Sequence, residues 1–308
     1  MNPDTAEAIR QKAKQMGYRA SAVARSLVTQ KSQTLGVIVS SISDPFNGEV
    51  VRSIEETAYE SGYSILLANS QADPDRIIRI IRSFQERRVE GILVTASRVG
   101  ALYAPLISET KIPIVLINNR HSSELVHSVV IDNEESAREA TKYLIEIGHR
   151  RIAYIGDRLG FQSNIERFSG YQRALVEAGI PFRPELLAHG DGRPRAAAQA
   201  MKRLLVLPER PTAVLCYNDM SAMGALYAAS QSGICVPRDL SVVGFDDLYF
   251  ARYLSPPLTT IRQPKRSMGR QATRLLFDLL EGKMVEASIA VKGRLIIRAS
   301  ATPPGGHA

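Results

Sequence analysis

The sequence predicts an α/β protein built as two doubly wound parallel-sheet lobes preceded by a short helical segment. Three observations carry this expectation. From Leu35 onward, buried strands and amphipathic helices alternate with few breaks, as parallel sheets joined by right-handed crossovers require. The alternation runs in two successive series, one beginning at Leu35 and one at Arg151. Helix ends carry matching stops, with Gly62, Gly148, Gly179 and Gly233 each following an apolar stripe.

The first strand spans residues 35–40. In it Leu35, Val37, Ile38 and Val39 make a continuous apolar run, as in a strand covered on both faces. Strands follow at 64–69, 91–95, 113–118 and 127–131, separated by helices at about 47–61, 75–88, 100–109 and 134–147. The second series has strands at 151–156, near 185–189, 213–217 and 241–245, with helices at about 164–178, 194–206 and 219–232. The last segment, 259–300, holds a strand, a helix over 264–281 and a final strand near 289–297. It is too small for a domain, so it is expected to complete both lobes by crossing between them.

Ahead of the first strand, residues 4–16 read as a short helix. Asp4 and Thr5 can cap its first N–H groups, Glu7 sits near its positive end and Gly17 stops it. Residues 20–28 (ASAVARSLV) are a second short helical candidate, followed by a polar linker. This N-terminal stretch is basic. Residues 1–34 hold Arg10, Lys12, Lys14, Arg19, Arg25 and Lys31 against Asp4 and Glu7, a balance of +4 within the chain's +8. Such a concentration suits a phosphate backbone, although a short basic run also occurs as a solvated face.

At 308 residues and 44% apolar content the chain supports two ordinary cores. The N-terminus lacks the apolar segment of a secretory signal. No apolar run approaches the roughly 18 residues that span a bilayer, so a cytoplasmic protein without membrane contact is expected. The two cysteines, Cys216 and Cys235, lie in apolar surroundings and are expected as free, buried thiols.

Five histidines are scattered without metal-ligand spacing, and the chain contains no Walker loop, GxGxxG or GxSxG. No metal, cofactor or catalytic activity is expected. Polar residues gather instead just beyond strand ends: Asp44, Asn118 with Asn119, Asn218 with Asp219, and Asp246 with Asp247, joined by the aromatic Phe46. Each alone also reads as a helix cap or turn residue, Asp219 above all. As a set on both lobes they point to one shared cleft, where carboxylates and carboxamides bind hydroxyl groups and a ring covers a sugar face.

Eight segments together resemble the LacI/GalR family of transcription regulators: GYRASAVARSL, LGVIVSSISDPF, RRVEGILV, GHRRIAYIG (148–156), RFSGYQRAL (167–175), NDMSAMGAL (218–226), VPRDLSVVGFDD (236–247) and PPLTTIRQP (256–264). The resemblance implies a dimeric ligand-binding core of periplasmic-binding-protein type. A hinge helix entering the minor groove joins that core to a helix-turn-helix headpiece. Carried over position by position, it implies effector contacts from Asp44, Phe46, Asn118, Arg167, Asn218, Asp246 and Gln263. Asn118 departs from an acidic position of the family. The effector implied is a small polyhydroxylated compound, a sugar or sugar acid.

On the DNA side Leu27 matches the leucine that wedges between base steps, and Ser21 and Ala24 match its neighbours. Arg25 adds a cation, and Tyr18 matches a backbone-contacting tyrosine. Ala20 and Ser21 replace a proline and an asparagine common in the hinge. The chain starts at the family's third helix, so the recognition helix is expected to be missing and operator selection with it. The implied division is 1–19 partial headpiece, 20–34 hinge and linker, 35–131 with 265–290 first lobe, and 132–264 with 291–308 second lobe. Dimerisation is expected on the outer helices at 47–61 and 75–88, where Ile77, Ile78, Ile80 and Ile81 give more apolar surface than one buried stripe needs; core packing could claim most of it, and the resemblance tips the balance toward an interface. The leading expectation is a ligand-responsive DNA-binding regulator, read as a repressor. The alternatives are a solute receptor of the same architecture, which would need an export signal, and an enzyme of sugar metabolism, which would need an acid/base pair.

Overall fold

The computed structural model of the protein describes residues 3–17, 31–95, 112–119 and 126–305. Helix α1 (Pro3–Gln15) precedes β1 (Thr34–Val39), α2 (Pro45–Glu60), β2 (Ser64–Asn69), α3 (Pro74–Glu86), β3 (Gly91–Thr95), β4 (Ile114–Ile117) and β5 (Val126–Ile131). The second series is α4 (Asn133–Glu146), β6 (Ile152–Asp157), α5 (Gln162–Glu177), β7 (Leu187–Gly190), α6 (Pro194–Leu205), β8 (Ala213–Cys216), α7 (Asp219–Gln231), β9 (Ser241–Asp246) and β10 (Thr259–Arg262). The chain then forms α8 (Lys265–Leu280), β11 (Ser288–Val291) and β12 (Arg294–Ile296). The helices expected at 20–28 and 100–109 lie outside the described residues.

The strands form two six-stranded sheets, ordered β11-β5-β4-β3-β1-β2 and β12-β10-β9-β8-β6-β7. The first strand of each series is flanked by the second and third. The winding therefore reverses beside β1 and beside β6, and open sheets leave a ligand crevice at such points. Burial follows the pleat. Leu35, Val37 and Val39 of β1 pack into a core with α2 and α8, whereas Ile38 packs on the other face with Ile77, Ile81 and Phe84 of α3. In β6, Ala153 and Ile155 face one core while Ile152 and Tyr154 face another.

Among the described residues, the chain passes between the sheets three times, at 131–133, at 262–265 and at 291–294. Helix α4 packs on α5 and on strands of the second sheet, while α8 packs on α2 and on strands of the first. The single final strand expected near 289–297 is in fact two. β11 runs parallel to β5, and β12 runs antiparallel to β10. Gly293 makes the passage, because a Cβ there would lie 2.5 Å from Ser136 Oγ and 2.9 Å from Ile131 Cδ1. The apolar pattern runs on through both strands and conceals the switch.

One further expectation changes. Cys216 is buried as expected, and burial pushes its thiol far up, but Cys235 is exposed in the turn after α7. On α3, Ile77 and Ile81 are fully buried, and Ile78 and Ile80 pack partly buried against the same cluster. The protein's own core takes most of this apolar surface, and the outer face of α3 shows Arg79, Arg82 and Glu86.

Candidate effector-binding site

The carboxyl ends of both sheets face one cleft of about 290 Å³, and all seven residues singled out by the resemblance line it: Asp44, Phe46, Asn118, Arg167, Asn218, Asp246 and Gln263. Among the described residues, four helix N-termini open onto it. Asp44 and Asn218 cap α2 and α7 with their side chains, while α5 and α6 begin at Phe161 and Arg193 without side-chain caps.

From the first sheet, Asp44 accepts from the Phe46 N–H at 2.9 Å. Burial raises its carboxyl above the ordinary value, against that hydrogen bond and the charges of Arg167 and Arg193. Phe46 is only 4% exposed and belongs to the core around Val50 and Ile54, so little of its ring remains for a ligand. Asn118 directly follows β4 with a left-handed φ of +58°, which asparagine tolerates better than most residues.

On the side of the second sheet, Arg167 is buried and held from several directions. Its Nε donates to Asn133 Oδ1 at 2.9 Å, and one terminal nitrogen donates to the Tyr217 carbonyl at 2.6 Å. The guanidinium carbon lies 3.6 Å from the centre of the Phe245 ring and 4.9 Å from that of Tyr217. Helix α5 aims it by seating Phe168 and Tyr171 against Tyr154, each pair at 5.3 Å. The Asp246 carboxylate stands 3.9 Å from the same guanidinium. Burial pushes the Asp246 carboxyl up to about 7, with Arg167 and Lys265 opposing and Asp44 adding to the rise. Gln263 donates to Asp246 Oδ1 at 2.5 Å, and its own Oε1 is buried without a partner among the described residues. That oxygen is an acceptor waiting for a donor, such as a ligand hydroxyl.

Asn218 is less available than the sequence implies. Its amide accepts from Ser221 N–H and donates to the Gly192 carbonyl. The capping role read for Asp219 belongs to this residue. Asp219 is fully buried and accepts from Leu248 N–H at 2.7 Å and from Thr260 Oγ1 at 2.6 Å, which holds the loop after β9. Asp247 also leaves the cleft. Arg262 and Arg298 hold it at 2.6 and 2.7 Å and, against the effect of burial, keep its carboxyl below the ordinary value. Asn119 is buried outside the cleft lining. Sequence reasoning did not find Phe161, Ser163, Asp191, Arg193 and Tyr217, which also line the cleft. Their one signal is position, directly after a strand or at a helix start. Tyr18, Ser21, Ala24, Arg25 and Leu27 lie outside the described residues.

The cleft therefore offers acceptors and donors from both sheets, at about the size of a small-molecule site. The family described as periplasmic binding protein-like domain matches residues 141–301. The HTH-type transcriptional repressor PurR of Haemophilus influenzae (strain PittEE) is 36% identical over 304 residues, covering 96% of this chain and 90% of the relative. The chain belongs to the LacI/GalR family of transcription regulators. Solved LacI-type folds superpose on it. The transcription regulator CcpA of Lactococcus lactis aligns with a TM-score of 0.81 at 29% identity, over 87% of this chain and 98% of that one. A transcriptional regulator CelR in complex with cellobiose aligns with a TM-score of 0.79 at 30% identity, over 97% and 91%. Among the described residues of this LacI-family chain, no helix is long and apolar enough to cross a membrane.

Proposed function

We propose that this LacI-family regulator is a repressor whose hold on operator DNA is set by a small polyhydroxylated effector, a sugar or sugar acid, bound in the cleft. The observation that carries the reading is the convergence, from both sheets, of groups matched to hydroxyls. Asp246, Gln263 Oε1 and Asp44 accept, while Arg167 and Asn118 can donate. A relative of similar size and fold holds cellobiose, which supports a carbohydrate. Asp44, Phe46, Asn118, Arg167, Asn218, Asp246 and Gln263 make the contacts in this reading, Asn218 and Phe46 with the least free surface. DNA is met by Tyr18, Ser21, Ala24, Arg25 and Leu27, with Leu27 as a minor-groove wedge. The protein acts as a homodimer through the outer face of the first lobe, in the cytoplasm where its operator lies, and uses neither metal nor cofactor.

Calorimetric titration of the purified chain with a panel of monosaccharides, disaccharides and aldonic acids tests the reading. A compound that binds, loses roughly 2–4 kcal/mol of binding in both Arg167→Ala and Asp246→Ala, and alters DNA retention in a mobility shift supports it. Equal affinity in both variants overturns the site. Sedimentation showing a monomer at micromolar concentration overturns the dimer.

A further inference from the structure

Asn133, the first residue of α4, is 3% exposed and is not part of the cleft lining, yet its amide touches two residues that line it, Arg167 and Asn118, and Glu166 beside them. Its Oδ1 accepts from Arg167 Nε at 2.9 Å. A guanidinium only donates, so the atom facing it is the carbonyl oxygen and the orientation of the Asn133 amide is chemically fixed. The Nδ2 group must then donate, and it does so to Glu166 Oε2 at 2.8 Å and toward Asn118 Oδ1 at 3.4 Å. Glu166 is itself oriented by Gln162, which donates to its other oxygen at 3.2 Å. Asn118 thus turns its oxygen toward Asn133, which leaves its Nδ2 as the donor available to the cleft it lines.

We propose that Asn133 is the positioning residue that sets the hydrogen-bonding polarity of the cleft at Asn118: it turns the Asn118 amide so that the effector must bring an acceptor oxygen there, and it holds the Arg167 guanidinium alongside. This deepens, and rests on, the reading of the cleft as an effector site. The ligand it selects carries an acceptor edge, such as a ring oxygen, a carbonyl or a carboxylate. That edge lies opposite the hydroxyls that meet Asp246 and Gln263.

Exchanging the two neighbouring groups reverses the polarity without changing size or net charge. In the double variant Asn133→Asp with Glu166→Gln, the carboxylate introduced at position 133 still accepts from Arg167 and now accepts from the carboxamide introduced at position 166. That carboxylate can no longer donate to Asn118, so the Asn118 amide turns to donate toward it and presents its own oxygen to the cleft. The readout is solvent exchange of the Asn118 side-chain N–H signals and of the Arg167 Nε–H, measured by NMR on the full chain without ligand. The expected result is at least tenfold slower exchange of one Asn118 proton in the double variant, with Arg167 Nε–H protected as in the wild type. Asn133→Ala, the second variant, speeds Arg167 Nε–H exchange at least tenfold. Unchanged Asn118 exchange in the double variant, or unchanged Arg167 exchange in Asn133→Ala, overturns the proposal.

Calorimetry with D-ribose, D-glucose and D-gluconate adds the ligand arm. Any of these that binds the wild type weakens at least tenfold in the double variant while the Tm stays within a few degrees. Undiminished binding overturns the selective role of Asn133. If none of the three binds the wild type, the carbohydrate reading of the cleft fails for these probes, and the exchange measurement still decides the role of Asn133.

Discussion

The ammonium of Lys265 donates to the main-chain carbonyl of Asp246 at 2.6 Å, and to that of Asp247 at 2.9 Å, from a position 4% exposed. Both aspartates have positive φ, +118° and +50°, in a region that non-glycine residues rarely occupy. Lys265 therefore collects the two carbonyls that this backbone turns aside, and it also stands 3.5 Å from Glu49 on α2. One side chain links the floor of the cleft to the first lobe. Lys265→Met keeps the volume but leaves buried acceptors without donors, which costs about 2–3 kcal/mol of stability. The expected outcome is a Tm lower by several degrees together with weaker effector binding, read by calorimetry and thermal unfolding. An unchanged Tm contradicts it.

The carboxyl of Asp246 gives a pH dependence with a definite sign. Its folded value of about 7 lies above that of an unfolded aspartate. Between about pH 4 and 7 the folded state therefore retains a proton that the unfolded chain has released, and stability falls as pH rises through this window. Asp246→Asn removes the contribution. Its stability relative to the wild type should climb between pH 4 and 7, by at most about 1.4 kcal/mol per unit, and level off above. Asp219, raised by burial and by the charge of Asp246, loses the second cause in the variant and adds to the trend. His149 is lowered by burial, so its stabilising effect is lost as pH falls below about 6.5, but this is common to both proteins and cancels in the difference. Urea midpoints across pH 4.5–8 measure it, and a constant difference would refute the assignment.

Two glycines inside helices mark where helices meet backbone to backbone. A Cβ on Gly170 of α5 would fall on the Glu134 carbonyl of α4, and one on Gly224 of α7 would fall on the Pro194 carbonyl of α6. Neither obstacle is a flexible side chain, so each alanine pushes a helix pair apart. Gly170→Ala and Gly224→Ala are each expected to destabilise by about 1–3 kcal/mol or somewhat more, although alanine is the better helix former. Denaturant midpoints for the two variants check this against Gly48→Ala, whose Cβ meets nothing within 4 Å.

The sheets were legible because their burial is two-sided: the unbroken apolar runs of β1 and β6 admit no solvent face, and strand-helix alternation then fixes their parallel sense. The cleft was legible as a set of strand ends, since ligands of such sheets meet the residues just after a strand. The division of labour within that set was not. Asp246 and Asp247 are adjacent and chemically identical, yet one faces the cleft and the other is held by Arg262 and Arg298, because two successive positive φ values turn them apart. Asn133 escaped for a related reason. It acts through Asn118 and Arg167, which lie 15 and 34 residues away in the chain.

Arg167 carries the last prediction, because its surroundings use shape as well as charge. Its guanidinium lies over the Phe245 ring, with the carbon 3.6 Å from the ring centre, while Nε and a terminal nitrogen reach Asn133 and the Tyr217 carbonyl in different directions. A lysine at this position keeps the charge but has neither the plane to stack nor a fork that reaches both acceptors. Losing one charge-assisted hydrogen bond costs about 1.5–3 kcal/mol, and each 1.4 kcal/mol is about tenfold in affinity. Arg167→Lys is therefore expected to weaken effector binding by at least tenfold. It should also free the Asn133 amide, so that Asn118 loses its fixed orientation. Titration of the variant with whichever compound binds the wild type reads the first effect, and Asn118 side-chain exchange reads the second. Binding within threefold of the wild type would mean that charge alone matters at this position.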